Sequence, residues 1–318
     1  MNSLRVMTAS LLVAMVSFPV IAQYPTRPIN LIVFTPPGGP SDTAARTVMQ
    51  SVSKSIGQQV LVENRPGADG AIAIQAVMNA NADGHTLLWG SSSMAGLPMV
   101  QKAAPLKSLS ELAPVSAVVA FAFGMYVHPD VPANTVAEFV KYAKANPGKL
   151  SYATGPLGEF LAASLLIQET GIDMVRIPYK GGAQAMPDVV AGRVQVYFTP
   201  MSIGQGPAQS GKLRMLATLL PERSPLMPNV PTMAEAGFGR VAFPSWNGIF
   251  APPKTPREAI ERISQEVQTA LKEPAVLAAL SQRGVRPLGT TADELAAMIA
   301  KDEELWRKFV RDNKIEAQ

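Results

Sequence analysis

The 318-residue sequence predicts an α/β protein of two lobes joined by two extended crossings. Three observations predict it. Short apolar runs with β-branched members alternate with helix-length segments, the pattern of strands buried on both faces beneath covering helices. The alternation gives way to a long apolar run, Val115 to Val127, and then restarts as a second set of units. A further extended run, Val241 to Phe250, precedes two amphipathic helices, so a pair of crossings returns the chain to the lobe it left.

The elements follow in order. Arg5 stands ahead of an apolar run from Leu11 to Ile21 that is too short for a stable membrane span, and Val20 and Ala22 suit signal peptidase. Residues 1–22 are therefore expected to be a cleaved signal peptide, with the mature chain starting at Gln23. Ile29 to Phe34 is a buried strand. The turn Pro36-Pro37-Gly38-Gly39-Pro40-Ser41-Asp42 follows, then a helix from Thr43 to Ile56 that Gly57 stops. A second unit consists of the strand Val60-Leu61-Val62, the turn-rich Asn64 to Gly70 and a helix from Ala71 to Asn79. Thr86 to Trp89 is a third strand running into Ser91, Ser92 and Ser93.

After the first crossing, Val136, Phe139, Val140 and Ala143 share a helical face, and Leu150 to Ala153 is a strand leading into Thr154-Gly155-Pro156-Leu157-Gly158-Glu159. A helix from Phe160 to Thr170, a strand at Val175 to Ile177, the loop Pro178 to Gly182, another helix and the strand Val194 to Phe198 complete the set. A proline-rich stretch follows, with Pro221, Pro225, Pro228 and Pro231. Ile260, Ile263, Val267 and Leu271 line one closing helix, and Leu295, Met298, Ile299, Trp306, Phe309 and Val310 the other. The predicted boundaries are 23–123 with 246–318 for the first lobe and 124–245 for the second.

Composition narrows the function. The absence of cysteine excludes disulfides, thiol catalysis, thiolate metal sites and a lipid-anchored amino terminus, leaving a soluble exported protein. The net charge of +4 comes from dispersed Lys and Arg with no basic stripe interleaved with aromatics, so nucleic acid is not an expected partner. Only two histidines occur: His85 opens a strand after an Asp-Gly turn and His128 precedes Pro129, so neither adjoins a nucleophile or a second metal ligand. With no Gly-x-Ser-x-Gly elbow either, no catalytic residue, metal or cofactor is expected. Carboxylate-only chemistry is the enzyme reading that composition leaves open.

Ordered motifs resemble the tripartite tricarboxylate transporter receptor (Bug) family across the mature chain. They are Tyr24 to Ile29 followed by Pro37-Gly38-Gly39-Pro40-Ser41-Asp42, then Val62-Glu63-Asn64-Arg65-Pro66-Gly67-Ala68, Asp83-Gly84-His85-Thr86-Leu87 and Asn146 to Tyr152. Pro178-Tyr179-Lys180-Gly181, Val230 to Gly237 and Ser245-Trp246-Asn247-Gly248 complete the series. The resemblance implies the type II periplasmic binding protein fold, a small organic ligand held between the lobes, a carboxylate or an amino acid or aromatic acid derivative, and delivery to large and small membrane subunits. A one-to-one clamp of this kind is expected to be a monomer. A ligand-dependent sensor partner of a membrane signalling protein would have the same ligand site, and is the alternative reading.

Candidate ligand contacts follow from strand-to-helix turns, where free N–H groups and the helix dipole favour an anionic oxygen. Pro37, Gly38, Gly39, Ser41 and Asp42 form the first such turn; Ser41 or Asp42 also fits as helix cap, and Asp42 as holder of a bridging water. Gly67 and Ala68 are expected in the neighbouring wall, and Ser91, Ser92 and Ser93 at the carboxyl edge of a strand. In the second lobe the candidates are Gly155, Gly158, Glu159, Tyr179, Gly181 and Thr199, with Tyr179 suited equally to packing. Trp246 is expected to pack at the hinge. The family pattern places Ser or Thr, then His, where this chain has Glu159 and Ala162, and often acidic residues where it has Gln195 and Thr199. Glu159 either faces the cleft, favouring a ligand with a donor or cationic end, or caps its own helix and points away.

Overall fold

The computed structural model describes residues 24–224, 227–241, 245–313 and 315–317. The expected signal peptide, Pro225 and positions 242–244 of the second crossing lie outside them. The first lobe carries β1 (Ile29–Val33), α1 (Pro40–Ile56), β2 (Val60–Asn64), α2 (Ala71–Met78), β3 (Thr86–Ser91), α3 (Leu97–Val100) and β4 (Ala113–Phe121). The second carries β5 (Phe123–Val127), α4 (Val136–Ala145), β6 (Leu150–Thr154), α5 (Leu157–Thr170), β7 (Met174–Pro178), α6 (Gly182–Val190), β8 (Val196–Pro200), α7 (Met201–Gln209) and β9 (Arg214–Thr218). The chain then returns to the first sheet through β10 (Ser245–Ala251), α8 (Arg257–Ala270), α9 (Pro274–Ser281), β11 (Val285–Pro287) and α10 (Ala292–Asp312).

Two sheets result, a six-stranded one in the order β11-β4-β10-β3-β1-β2 and a five-stranded one in the order β7-β6-β8-β5-β9. The apolar strand runs predict parallel pairing, and β1 does pair parallel with β2 and β3, as β6 does with β7 and β8. Both sheets are nonetheless mixed. The crossing strands enter antiparallel: β10 lies between β3 and β4, and β5 between β8 and β9. Each crossing strand is central and buried on both faces, so its composition resembles that of a parallel strand and does not reveal its direction.

Only Ala122 separates β4 from β5, so the long apolar run read as one crossing is two strands in two sheets. The closing helices dock on the first sheet, α8 and α10 against β4 and α8 against α1. Leu295, Ile299, Trp306 and Phe309 are buried along α10 at helical spacing, and the helix starts with a capping box between Thr291 and Glu294. The three tryptophans Trp89, Trp246 and Trp306 are fully buried, all on first-lobe elements. Helix α7 and strand β9 are absent from the sequence reading, because Gly204, Gly206 and Pro207 erase a helical signature.

Candidate functional site

Four strand-to-helix turns, one from the first sheet and three from the second, face a common space. The first turn of α1 is headed by Gly39 as N-cap with Pro40 behind it, and no side chain caps it. Ser41 therefore does not cap the helix, contrary to one expectation. Its hydroxyl donates to Asn247 Oδ1 at 2.7 Å and accepts from Trp89 Nε1 at 3.1 Å, tying the turn to β3 and β10. Asp42 turns back into its own loop. It accepts from the Gly38 N–H at 2.9 Å, from Arg46 Nε at 3.0 Å and from Asn64 Nδ2 at 2.8 Å. Burial pushes this carboxyl up, but those hydrogen bonds together outweigh it and hold it below the usual range. Gly38 sits at φ +79, a conformation an L side chain rarely adopts, which is what this tight loop requires.

In the second lobe α5 starts after Pro156, α6 after Gly181 and α7 after Pro200. Glu159, in the first turn of α5, is 3% exposed. Its carboxyl accepts from the Gly155 N–H at 2.5 Å, from the Tyr197 hydroxyl at 2.9 and 3.0 Å and from Thr199 Oγ1 at 3.2 Å. Burial pushes Glu159 up to about 7 against these three donors. The Tyr197 phenol is pushed up by burial and then by the neighbouring Glu159 charge. Glu159 ties down its own loop through the Gly155 N–H and is part of the cavity wall. Gly155 is needed beside it for space, since a Cβ there would stand 3.2 Å from Gly181 Cα and 2.8 Å from Glu159 Oε2.

The turns enclose a cavity of about 440 Å³ between the sheets. Of the sequence-predicted residues, Pro37, Gly38, Gly39, Ser41, Ser91, Ser93, Gly158, Glu159 and Gly181 line it. Ser91 and Ser93 share a hydrogen bond of 2.8 Å. Asp42, Gly67, Ala68, Ser92, Gly155, Tyr179 and Thr199 do not line it, and each has another place. Ser92 is buried with its hydroxyl facing the Trp246 N–H at 3.4 Å, and Gly67 and Ala68 form a left-handed turn outside the wall. Tyr179 donates to Asp188 at 2.8 Å, the packing alternative, while Asp42, Gly155 and Thr199 support the wall from behind. Trp246 packs at the start of β10, donating from Nε1 to Asp302 at 2.8 Å.

Several lining residues escape sequence reasoning. Phe34, Phe121, Phe123, Met186 and Ile203 give apolar walls, and each looks like an ordinary core residue in its own segment. Ser202 belongs to the undetected α7; its Oγ is buried with no hydrogen-bond partner among the described residues. Lys180 and Arg283, both exposed, place one cation from each lobe at the cavity, and Lys180 lay within a recognised motif. Among the described residues no cluster of His, Cys, Asp and Glu fits a metal ion, and no helix is long and apolar enough to cross a membrane. The arrangement offers N–H groups, hydroxyls and cations around an apolar centre, a setting for an anionic group attached to a small organic body.

Comparison with known proteins gives concordant findings. Residues 44–315 match the family described as tripartite tricarboxylate transporter family receptor. Protein BugT of Bordetella pertussis is 35% identical over 294 residues, covering 91% of this chain and 90% of BugT. A solved R. palustris protein with adipate shares the fold at a TM-score of 0.87 and 27% identity, over 93% of this chain and 100% of that one. MatC from Rhodopseudomonas palustris with bound malate aligns at a TM-score of 0.83 and 26% identity, over 90% of this chain and 100% of MatC.

Proposed function

The chain belongs to the tripartite tricarboxylate transporter receptor family, and on that premise we propose that it captures a small organic carboxylate between its lobes. It is a solute-binding receptor of the two-lobed periplasmic binding protein class. One observation carries the ligand class: the N-terminal turns of α1, α5, α6 and α7 converge from both lobes on a single cavity. Helix N-termini carry partial positive charge and free N–H donors, so their convergence favours an anionic oxygen over a neutral one. The adipate and malate of the two structural relatives are carboxylates, which supports the same reading.

In this reading a carboxylate sits among the α1 turn, Ser91, Ser93 and Ser202, with its carbon body against Phe34, Phe121 and Phe123. Lys180 and Arg283 draw the anion toward the mouth. The lobes run close to 23–123 with 246–318, and 124–245, with the link at Ala122 and the start of β10 at Ser245 each one residue earlier than those bounds. Residues 1–22 direct export to the periplasm and are removed, the mature protein acts as a monomer, and the closed form delivers its ligand to the membrane subunits of a tripartite transporter. The protein binds without turnover.

The test is thermal unfolding of residues 23–318, stripped of carried-over ligand by unfolding and refolding, against di- and tricarboxylates, acidic amino acids, aromatic acids and the matching amides. A carboxylate at a hundred times its dissociation constant adds about 2.7 kcal/mol, and it is recovered unchanged. A panel in which amides stabilise and carboxylates do not overturns the ligand class, and a consumed ligand overturns the receptor-only role.

A further inference from the structure

Helices α1 and α5 each carry an acidic residue in the first turn, and the two are disposed in opposite ways. Asp42 of α1 is paired with Arg46 at 3.0 Å and does not line the cavity. Glu159 of α5 does line it, and no Lys, Arg or His among the described residues forms an ion pair with it. The first turns of α6 and α7 hold no acidic residue. A buried carboxyl without a cation is costly unless hydrogen-bond donors meet its lone pairs, because it has given up water.

Those lone pairs are not all met. An ionised carboxylate has about four acceptor positions. Three hydrogens reach Glu159: the Gly155 N–H at 2.5 Å, the Thr199 hydroxyl at 3.2 Å and the one phenolic hydrogen of Tyr197, shared between the two oxygens at 2.9 and 3.0 Å. Burial pushes the carboxyl up to about 7, the direction expected where donors answer the charge incompletely. The space beside it is open. Gly158 in the same turn and Gly181 at the head of α6 line the cavity without side chains. The Cβ position of Gly155 lies 2.8 Å from Glu159 Oε2 and 3.2 Å from Gly181 Cα, so the carboxyl and the bare α6 turn are neighbours. Gly181 has extended backbone, and a Cβ there would meet nothing within 4 Å. Neither strain nor packing calls for glycine at that position, and its bareness leaves room next to Glu159.

We infer that Glu159 selects the far end of the ligand: the cavity takes an organic monocarboxylate whose opposite end is a hydrogen-bond donor, an amide or an ammonium group, in preference to a dicarboxylate. This selection presupposes the proposed capture of a carboxylate in the cavity. The anionic end belongs to the α1 turn, Ser91 and Ser93, and the donor end to the remaining acceptor position of Glu159. An ammonium group supplies the missing countercharge, and an amide N–H the missing hydrogen. A second carboxylate at that end meets a carboxyl instead of a cation, so one of the two must take up a proton or both stay in repulsion.

Titration calorimetry on ligand-stripped residues 23–318 at pH 8, where Glu159 is largely ionised, reads the selection. The probes form two homologous series: succinate, succinamate, γ-aminobutyrate and butyrate, then adipate, adipamate, ε-aminocaproate and hexanoate. Within a series that binds, the half-amide or the amino acid is expected to bind about tenfold tighter than both the dicarboxylate and the alkyl acid. Glu159→Gln, which presents N–H donors in place of the charge, should reduce the preference over the dicarboxylate about tenfold. Each preference compares two ligands on one protein, so a smaller folded fraction in the variant cancels. A dicarboxylate that binds the parent as tightly as its half-amide, or a preference that survives Glu159→Gln, overturns the selection while carboxylate capture stands. An alkyl acid that matches the half-amide overturns it too, because charge is then excluded with no donor recognised. Binding by none of the probes that carry a carboxylate overturns the capture of a carboxylate itself, and the selection with it.

Discussion

Glu159→Gln separates the charge of the buried carboxyl from its shape. In the folded protein the group titrates at about 7, against 4.5 for an exposed glutamate, because burial penalises its ionised form more than Gly155, Tyr197 and Thr199 together favour it. The folded state holds this proton more tightly than the unfolded one. Its contribution to stability is therefore complete below pH 4.5 and is lost as pH rises through 7. A shift of this size, at 1.36 kcal/mol per unit, corresponds to about 3 kcal/mol. Glutamine can accept from the Gly155 N–H and the Tyr197 hydroxyl through its oxygen, and its NH₂ can donate to a reoriented Thr199, but it cannot ionise. Urea unfolding of both proteins at pH 4 and pH 8 gives the comparison, with all other titrating groups common to the pair. The stability of Glu159→Gln relative to its parent should rise by about 3 kcal/mol over that interval. Parallel pH profiles for the two proteins would refute the account of Glu159 as a carboxyl destabilised by burial.

Asp302 follows the same sign at another place: burial pushes it up to about 7 from 3.8, opposed by the Trp246 indole N–H, so Asp302→Asn should gain about 4 kcal/mol on its parent between pH 3.5 and pH 8. Calorimetry at the two pH values checks it, and an unchanged difference would contradict it. Ser202→Ala should leave the melting temperature nearly unchanged, since no partner among the described residues loses a bond, while weakening the binding of the carboxylate selected by thermal shift about tenfold. Titration calorimetry reads that affinity, and an unaltered dissociation constant would remove Ser202 from the ligand contacts.

The strands and helices with clear period and punctuation were legible in the chain. Gly57 ends α1, and Val136, Phe139 and Ala143 are buried along one face of α4, where apolar spacing and turn residues agree. Direction was not legible for β5 and β10, because a strand buried on both faces has the same composition whichever way it runs. Helix α7 was hidden by Gly204, whose missing Cβ is what lets Tyr126 pack there: a Cβ would come 2.3 Å from the ring. Of the site, the glycine turns were visible because turn chemistry is local. The aromatic walls were not, since Phe34, Phe121 and Phe123 differ from core residues only by facing a space that two distant segments make together. Asp42 and Tyr179 show the converse. Each is a polar residue beside a candidate loop whose bonding groups are already engaged, by Arg46 and Asn64 in one case and Asp188 in the other.

The single-residue link at Ala122 has a bearing on the energetics of capture. A step of one residue spans about 3.8 Å, so β4 and β5 cannot drift apart, and the lobes behave as hinged plates rather than as bodies on a tether. The cost of bringing two independent surfaces into register, several kcal/mol for free partners, has already been met in the folding of the chain. Closing therefore restricts little more than one rotation. A ligand of few atoms, with correspondingly little interaction energy to offer, can then still bias the equilibrium toward the closed form.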